Sequence, residues 1–202
     1  MECDGVRAQK IVILPRSFYA RGTVEVARDL LGKVLVHACK TGPAAGIIVE
    51  TEAYLGGDDL ASHSAAGITD RTRVIFGPPG HAYVYLSYGM HDCMNIVAEP
   101  AGTPGCVLVR ALEPIEGLDV MRQRRPKART DRDLASGPGK LTRALGITRK
   151  HTGVDMTKGD LVVRSRPAVP PSEIAVTPRI GITKCAELPL RFFIQGNRFV
   201  SR

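Results

Sequence analysis

Short segments in which apolar and polar residues alternate run along much of this 202-residue chain, and they predict strands joined by turns. The predicted strands cover residues 33–37, 47–54, 82–87, 93–98, 107–110, 160–164, 179–183 and 191–194. Helices are predicted at 24–31, 115–122 and 140–145, the first between Thr23 as N-cap and Gly32 as stop. This order predicts one α+β domain with a curved, mainly antiparallel sheet, short helices and a loosely ordered segment over residues 1–15.

One predicted hairpin carries an aromatic residue near its tip. Strands 82–87 and 93–98 flank Tyr88-Gly89-Met90-His91, a sequence that offers a turn, so the hairpin is expected to protrude. Two interpretations of Tyr88 stay open. The ring either folds back over its own hairpin, or it acts as a wedge of the kind that proteins insert between stacked bases of a duplex.

Carboxylates and aromatic rings are concentrated in one part of the sequence. Four of the five tyrosines lie between positions 54 and 88, just after two glutamates on the strand 47–54. Strict alternation puts two sets of residues on opposite faces of that strand. The first set is Ile48, Glu50, Glu52 and Tyr54, and the second is Ile47, Val49, Thr51 and Ala53. A carboxylate beside flat rings suits chemistry on a flat ring, such as a nucleobase taken out of its stack.

The spacing does not decide whether Glu50 or Glu52 is the reactive carboxylate, and both can also be ordinary surface groups on an edge strand. Arg110 ends the apolar run 106–109, where a buried guanidinium needs a carboxylate partner. An arginine beside the acid is expected to keep it ionised and available as a base.

Composition limits the class of protein. A length of 202 residues with 44% hydrophobic content fits one domain with a sizeable core. No signal-peptide core and no membrane helix is evident, so we expect a soluble protein of the cytoplasm, associated with the nucleoid in a bacterium. The five cysteines are odd in number and widely spaced, which argues against a disulfide framework and a zinc site.

Positive charge is concentrated between residues 121 and 150. This segment holds 10 Lys and Arg against 2 acids, and the rest of the chain, 18 against 18, is neutral. A neutral body with one basic segment is typical of a surface that binds a polyanion through its phosphates, although a solvated basic loop has the same composition.

Two further patterns suggest binding sites. His63 with Asp58 and Asp59 in the long loop 56–72 can be read as metal ligands, but the spacing matches no metal motif, and we expect none. The sequence 136–141 lacks the spacing of a phosphate loop. Lys140 and the helix N-terminus beside it can still hold one DNA phosphate, or simply cap the helix.

Long motifs of this chain resemble the alkyladenine (3-methyladenine) DNA glycosylase family. They succeed one another in the family's order from about Phe18 to Phe199. The motifs are 49–56 (VETEAYLG), 62–64 (SHS), 79–85 (PGHAYVY), 88–90 (YGM), 94–96 (MNI), 109–114 (VRALEP) and 136–138 (SGP).

The resemblance implies a monofunctional enzyme that acts as a monomer, without metal or cofactor, on double-stranded DNA containing damaged purines. Such an enzyme flips a damaged purine nucleotide, with 3-methyladenine, another alkylpurine, hypoxanthine or ethenoadenine as its base, out of the duplex. It then cuts the N-glycosidic bond with water and so initiates base excision repair. It implies that Glu52 is the general base activating water and that Arg110 helps to hold both. Further roles follow position by position. Tyr54 and Tyr85 sandwich the flipped base, His63 meets its edge, Asn95 disfavours guanine and Tyr88 is the wedge. Apart from the resemblance, we expect four more residues to contact DNA: Met90, Arg71, Arg73 and Lys140.

Two other functions remain as alternatives. A non-catalytic protein with the same hairpin and wedge would recognise distorted duplexes, although the presence of Glu52 and Arg110 argues against it. A metal-dependent hydrolase would use His63 and the Asp58–Asp59 pair, and a chelator would abolish its activity.

Overall fold

The framework of the molecule is an antiparallel sheet, seen in a computed structural model that describes residues 12–201. Eight strands of these residues form it: β1 (Val34–His37), β2 (Ala44–Tyr54), β3 (Ala82–Ser87), β4 (His91–Val97), β5 (Cys106–Glu116), β6 (Leu161–Arg164), β7 (Ile174–Thr177) and β8 (Arg191–Ile194). Five helices accompany it: α1 (Arg16–Tyr19), α2 (Thr23–Asp29), α3 (Leu118–Arg124), α4 (Asp131–Ala135) and α5 (Pro138–Leu145). The predicted single α+β domain with a mainly antiparallel sheet is confirmed.

Strand β2 is the centre of the sheet and pairs with three neighbours. Its full length runs beside β5 in the order β3-β4-β5-β2-β1-β6. Along its other edge, residues 44–47 pair with β1, whereas residues 50–52 pair with β8, which in turn pairs with β7. Helices α2 and α5 supply apolar side chains to the main core beside this sheet. Both glutamates of β2 therefore lie where the strand is covered by other elements, and both are fully buried.

The strict alternation predicted for β2 is wrong in its first half. The register against β5 shifts between Ile48 and Glu50 and again between Glu50 and Thr51, as at a β-bulge. A bulge adds a residue to one strand and changes which side chains share a face. Ile48 consequently packs in the same core cluster as Ala53, which was predicted to lie on the opposite face, whereas Tyr54 packs in another cluster.

Several other predicted elements differ from those observed. The predicted strand 179–183 is wrong, since these residues form bends and coil held by side-chain contacts. The helix predicted at 115–122 begins only at Leu118, because β5 continues to Glu116 and Gly117 turns the chain with φ 72°. Helices α1 and α4 and strand β7, each four or five residues long, were not predicted.

The segment predicted to be loosely ordered, residues 1–15, falls mainly on residues 1–11, which lie outside the described part of the chain. Of the remainder, Ile13 bridges to Arg164, and Leu14 is buried with its N–H bonded to Val163 O at 2.9 Å. Within residues 12–201, no helix has both the length and the apolar character that crossing a membrane requires.

Candidate active site

A cavity of about 450 Å³ lies between the β3–β4 hairpin, the end of β2 and the segment 178–182. This volume is in the range of small-molecule binding sites. Aromatic rings form much of the wall, and Tyr83 and Tyr85 stack with their centroids 5.6 Å apart. The lining residues that matter below are Tyr54, His63, Arg71, Tyr83, Tyr85, Tyr88, Cys93, Asn95, Cys106, Arg110, Ile180 and Gly181. The cavity therefore has the size and lining to hold a flat ring.

Glu52 lies directly behind this wall, with no exposed surface. Its Oε1 accepts a hydrogen bond from the Ile180 backbone N–H at 2.8 Å and faces Arg110 Nη1 at 3.2 Å. Its Oε2 accepts from the Tyr54 hydroxyl at 3.0 Å. All three partners line the cavity, so the carboxylate directly adjoins the cavity wall.

Burial raises the pKa of Glu52 above its usual range, and Arg110, the Ile180 N–H and the Tyr54 hydroxyl act in the opposite direction without cancelling it. We expected from the sequence that the arginine would dominate. The net shift is upward, because complete removal from water disfavours the carboxylate more than its partners stabilise it. A carboxylate with a raised pKa is a stronger base once it is deprotonated.

Glu50, two residues earlier, has a different environment. Its Oε1 accepts from Arg191 Nε at 2.7 Å, Arg110 Nε at 3.0 Å and the Ser201 hydroxyl at 2.9 Å. Its Oε2 accepts from the Ser201 N–H at 2.7 Å. Three donors thus share Oε1 and a fourth binds Oε2, and two of the four are guanidinium groups. Glu50 thus joins β2, β5, β8 and the C-terminal residues, and the predicted carboxylate partner of Arg110 is present twice.

The imidazole ring of His63, at the side of the cavity, is held in one protonation state. The His63 Nε2 lies 3.3 Å from Arg71 Nη2 and its Nδ1 lies 2.8 Å from the Tyr83 hydroxyl. A guanidinium only donates, so Nε2 accepts and the proton of the neutral ring is on Nδ1, bonded to Tyr83. Burial and the nearby Arg71 lower the pKa of His63 to about 4. The ring edge is therefore neutral at physiological pH.

Asn95 closes the inner part of the cavity and is buried. It stands opposite Tyr83 in the β3–β4 register, and its side-chain Nδ2 donates to Tyr83 O at 3.2 Å. Its Oδ1 lies 3.8 Å from Cys106 Sγ. With its amide fixed on both sides, this residue sets the shape of the cavity floor.

The tip of the hairpin exposes a large aromatic residue in a strained conformation. The predicted hairpin is confirmed, with Tyr88 and Gly89 at φ 48° and 67° and the Met90 N–H bonded to Ser87 O. These angles belong to a turn that glycine or asparagine favours, so a tyrosine there costs free energy. Tyr88 is 81% exposed and Met90 72%, and the Tyr88 hydroxyl donates to Gly181 O at 3.3 Å. The ring does not fold back onto the body of its own hairpin.

The basic segment lies beside this tip and is partly committed to internal contacts. Arg124 bonds Thr41, Gly42 and Ala144, and Arg122 pairs with Asp119 and Asp131. Lys140, at the start of α5, lines a second cavity of about 500 Å³ that reaches from Tyr88 to α4 and α5. Its other basic residues are Arg110, Arg125 and Arg132, with Asp133 as the acid. Arg73 is exposed away from these cavities and pairs with Asp70 at 3.3 Å.

The metal interpretation of the loop 56–72 finds no matching geometry. Asp59 forms a buried bidentate pair with Arg179, and His63 bonds Tyr83. Across residues 12–201, no three His, Cys, Asp or Glu side chains are grouped so as to hold a metal ion.

Residues 17–198 match the family model described as methylpurine-DNA glycosylase. The chain belongs to the methylpurine-DNA glycosylase family. A relative in Methanoculleus marisnigri is 55% identical across 94% of this chain and 98% of its own length. Relatives in Methanocella arvoryzae and Rhodopseudomonas palustris strain BisB18 are 52% and 49% identical across 94% of this chain, and 96% and 90% of their own lengths. All three are named "Putative 3-methyladenine DNA glycosylase". This family member is accordingly a DNA glycosylase, which is a hydrolase that functions in DNA repair.

Several residues around the carboxylates of this glycosylase family member were missed from the sequence. Ile180 donates its backbone N–H to Glu52, and Ser201 donates its backbone N–H to Glu50. A backbone donor cannot be recognised from the residue type. Arg191 was assigned only to a strand, although its side chain ion-pairs with Glu50. Arg179 sits in a segment predicted as a strand. Its charge among apolar neighbours was the one signal of a buried pair.

Proposed function

We propose that the enzyme flips a damaged purine nucleotide out of duplex DNA into the 450 Å³ cavity and hydrolyses its N-glycosidic bond, the first step of base excision repair. The observation that carries this proposal is the buried Glu52, whose three partners all form the wall of an aromatic cavity. Hydrolysis of the glycosidic bond of a nucleotide requires a general base beside a pocket that holds the flat nucleobase. Glu52 and the aromatic cavity would supply both.

The rings account for binding of the flipped base. Tyr54 and Tyr85 both line the cavity and would lie against the faces of the purine, with His63 at its edge. Stacking contributes about 1 to 3 kcal/mol per base. Asn95, fixed by Tyr83 O, would crowd the exocyclic amino group of guanine and so disfavour normal guanine.

Glu52 accounts for the chemistry. After the two hydrogen bonds and the ion pair that it makes among the described residues, its carboxylate keeps an acceptor position for a water molecule. Glu52 would take a proton from that water, the oxygen would attack C1′ of the deoxyribose, and the electrons of the glycosidic bond would leave with the base. Arg110 would hold both the carboxylate and the water.

The leaving group decides how much further assistance is needed. An alkylated purine such as 3-methyladenine is cationic in DNA and leaves as a neutral base, so one carboxylate suffices. Hypoxanthine and ethenoadenine are neutral and need a proton as they leave. We therefore propose cationic alkylpurines as the primary substrates and these neutral lesions as slower ones.

The hairpin tip and the basic residues account for DNA binding. Tyr88 and Met90 project from the same turn, and Tyr88 would fill the gap that the flipped nucleotide leaves in the duplex. Lys140 in the adjacent cavity would contact a DNA phosphate, and the exposed Arg71 and Arg73 extend the positive surface on the other side of the aromatic cavity. We propose that a single chain carries out all these steps as a monomer.

The proposal is tested by single-turnover excision on duplex oligonucleotides that hold one hypoxanthine, ethenoadenine or alkylated adenine. We expect release of the base, unaffected by chelator, and loss of release in Glu52→Gln with binding to the damaged duplex retained. Tight lesion binding without release by the wild-type enzyme would show a damage-binding protein instead.

The wedge has its own variant in the same assay. Tyr88→Ser removes the ring from an exposed turn and is expected to leave the melting temperature nearly unchanged while lowering excision at limiting enzyme. Glu173→Ser, another exposed change, serves as the control for surface substitution. Unchanged excision by Tyr88→Ser would contradict the assignment of the wedge.

A further inference from the structure

Two loops that take no part in the sheet meet behind the cavity through one buried ion pair. Asp59 accepts two hydrogen bonds from Arg179, Oδ2 from Nη1 at 2.7 Å and Oδ1 from Nη2 at 2.8 Å. The side chains are 2% and 0% exposed. Apolar residues of similar volume usually stabilise a protein as well as such a pair does, so stability alone does not account for it. A planar bidentate pair does fix the relative orientation of its two side chains.

Arg179 touches the reactive part of the molecule at two further points. Its Nη1 donates to Ala53 O at 3.0 Å, the carbonyl between Glu52 and Tyr54. Its guanidinium carbon lies over the Tyr54 ring, 4.7 Å from the centroid. Among the described residues that line the cavity Arg179 is absent, so it supports Tyr54 from behind.

The same residue fixes the backbone that reaches Glu52. Ile180, the next residue, donates its N–H to Glu52 Oε1, and Gly181 accepts the hydroxyl of Tyr88. No strand ladder holds the 178–182 segment among the described residues, and its position depends on the Arg179 side chain. At the other end, Asp59 accepts from the Leu55 and Ala61 N–H groups and so orders the loop that leads to His63.

We propose that Asp59 and Arg179 are positioning residues for base excision, which set the Ile180 N–H on Glu52 and hold the Tyr54 ring against the flipped base. This inference rests on the proposed function. Neither residue touches the substrate. The pair acts through Ile180, Ala53 and Tyr54, and it makes the geometry of the general base depend on a contact between two loops.

The test uses the double variant Asp59→Asn/Arg179→Gln, which replaces the ion pair by a neutral hydrogen-bonding pair and leaves no lone buried charge. Single-turnover excision is measured against pH on the best-cleaved lesion duplex. We expect a rate lower by about tenfold or more, the effect of losing one hydrogen bond to a charged group. The ascending limb of the profile is expected to move to higher pH, because the Ile180 N–H favours the carboxylate form of Glu52.

The control is Arg16→Gln/Asp155→Asn, which removes an ion pair of 2.7 Å near the end of β3 that lies away from the Tyr88 turn. This variant is expected to change neither the excision rate nor the position of the ascending limb. Should the Asp59/Arg179 double variant fail to fold, Arg179→Lys keeps a cation opposite Asp59 but loses the fork, and the same two quantities are measured. An unchanged rate, or a lower rate with an unmoved limb, would overturn the positioning role. Absence of Glu52-dependent release in the wild type would instead overturn the proposed function itself.

Discussion

Glu50 and Glu52 are two residues apart on one strand, share one arginine and are equally buried, yet their surroundings differ. Glu50 accepts from two arginines and from both the N–H and the hydroxyl of Ser201. Glu52 accepts from one backbone N–H and one tyrosine hydroxyl, and all its partners face the cavity. Four donors, two of them guanidinium groups, hold Glu50 and tie β8 and Ser201 to β2, which is a structural role. Glu52 is held only by residues that line the aromatic cavity, so it is placed to act on a ligand.

The largest expected difference concerns activity at Glu52. Glu52→Gln should lower single-turnover excision by about a hundredfold to ten-thousandfold, the usual contribution of a general base. Lesion binding should be retained, because the rings and the basic surface are unchanged. Gel-shift titration on the damaged duplex measures the binding, and comparable loss of binding and excision would speak against a purely chemical role.

The second largest effect concerns stability at Glu50. Glu50→Gln removes the buried anion that pairs with Arg191, and it removes one of the two anions that pair with Arg110. Loss of one partner of a buried ion pair costs about 3 to 5 kcal/mol. We expect a melting temperature lower by roughly 10 °C in thermal unfolding. Glu52→Gln, in contrast, removes a buried charge that burial disfavours, and its melting temperature should not fall by a similar amount.

The pH dependence sharpens the same comparison. Because the folded-state pKa of Glu52 is raised, the folded protein binds this proton more tightly than the unfolded chain does. The stability contributed by Glu52 is therefore greatest below its ordinary pKa and falls as the pH rises through the raised folded value. Chemical denaturation should show this decline in the difference between the wild type and Glu52→Gln, because carboxylates with a lowered pKa, such as that of Asp155, give both proteins the opposite slope at acid pH. An identical profile in the two proteins would place the raised pKa elsewhere.

A smaller effect is expected from the tyrosine that donates to Glu52. Tyr54→Phe keeps the ring but removes the hydroxyl bonded to Oε2, so the pKa of Glu52 should rise further. The ascending limb of the rate profile should move to higher pH, with rates in its plateau reduced by less than about tenfold. Movement to lower pH would mean that the hydroxyl does not stabilise the carboxylate.

The smallest effect concerns His63, whose ring should not change its protonation state near neutral pH. With its pKa lowered to about 4, this ring should not titrate between pH 5 and 8. The imidazole signals of His63, assigned in NMR spectra by comparison with His63→Gln, should stay constant over that range. Titration of His63 near pH 6.5 would show that the ring is not buried beside Arg71.

The sequence predicted the parts of this molecule that follow from local pattern. Three features follow from alternation, turn residues and the cost of a lone buried charge: the hairpin of strands 82–87 and 93–98 with its turn, the antiparallel sheet and the pairing of Arg110 with a carboxylate. The sequence could not predict the bulges of β2, which depend on β5, or the backbone donors Ile180 and Ser201. The segment 179–183 was mistaken for a strand because its apolar alternation is real, while the tertiary contact of Arg179 with Asp59 determines its path.

The central claim, that one of two neighbouring buried carboxylates is chemical and the other structural, is tested most directly by a paired measurement. Glu50→Gln and Glu52→Gln are assayed side by side in single-turnover excision, at a temperature where circular dichroism shows both to be folded. The account predicts that Glu50→Gln releases the damaged base within about tenfold of the wild-type rate, while Glu52→Gln is slower by a hundredfold or more. Equal rates in the two variants, or a greater loss in Glu50→Gln, would contradict it.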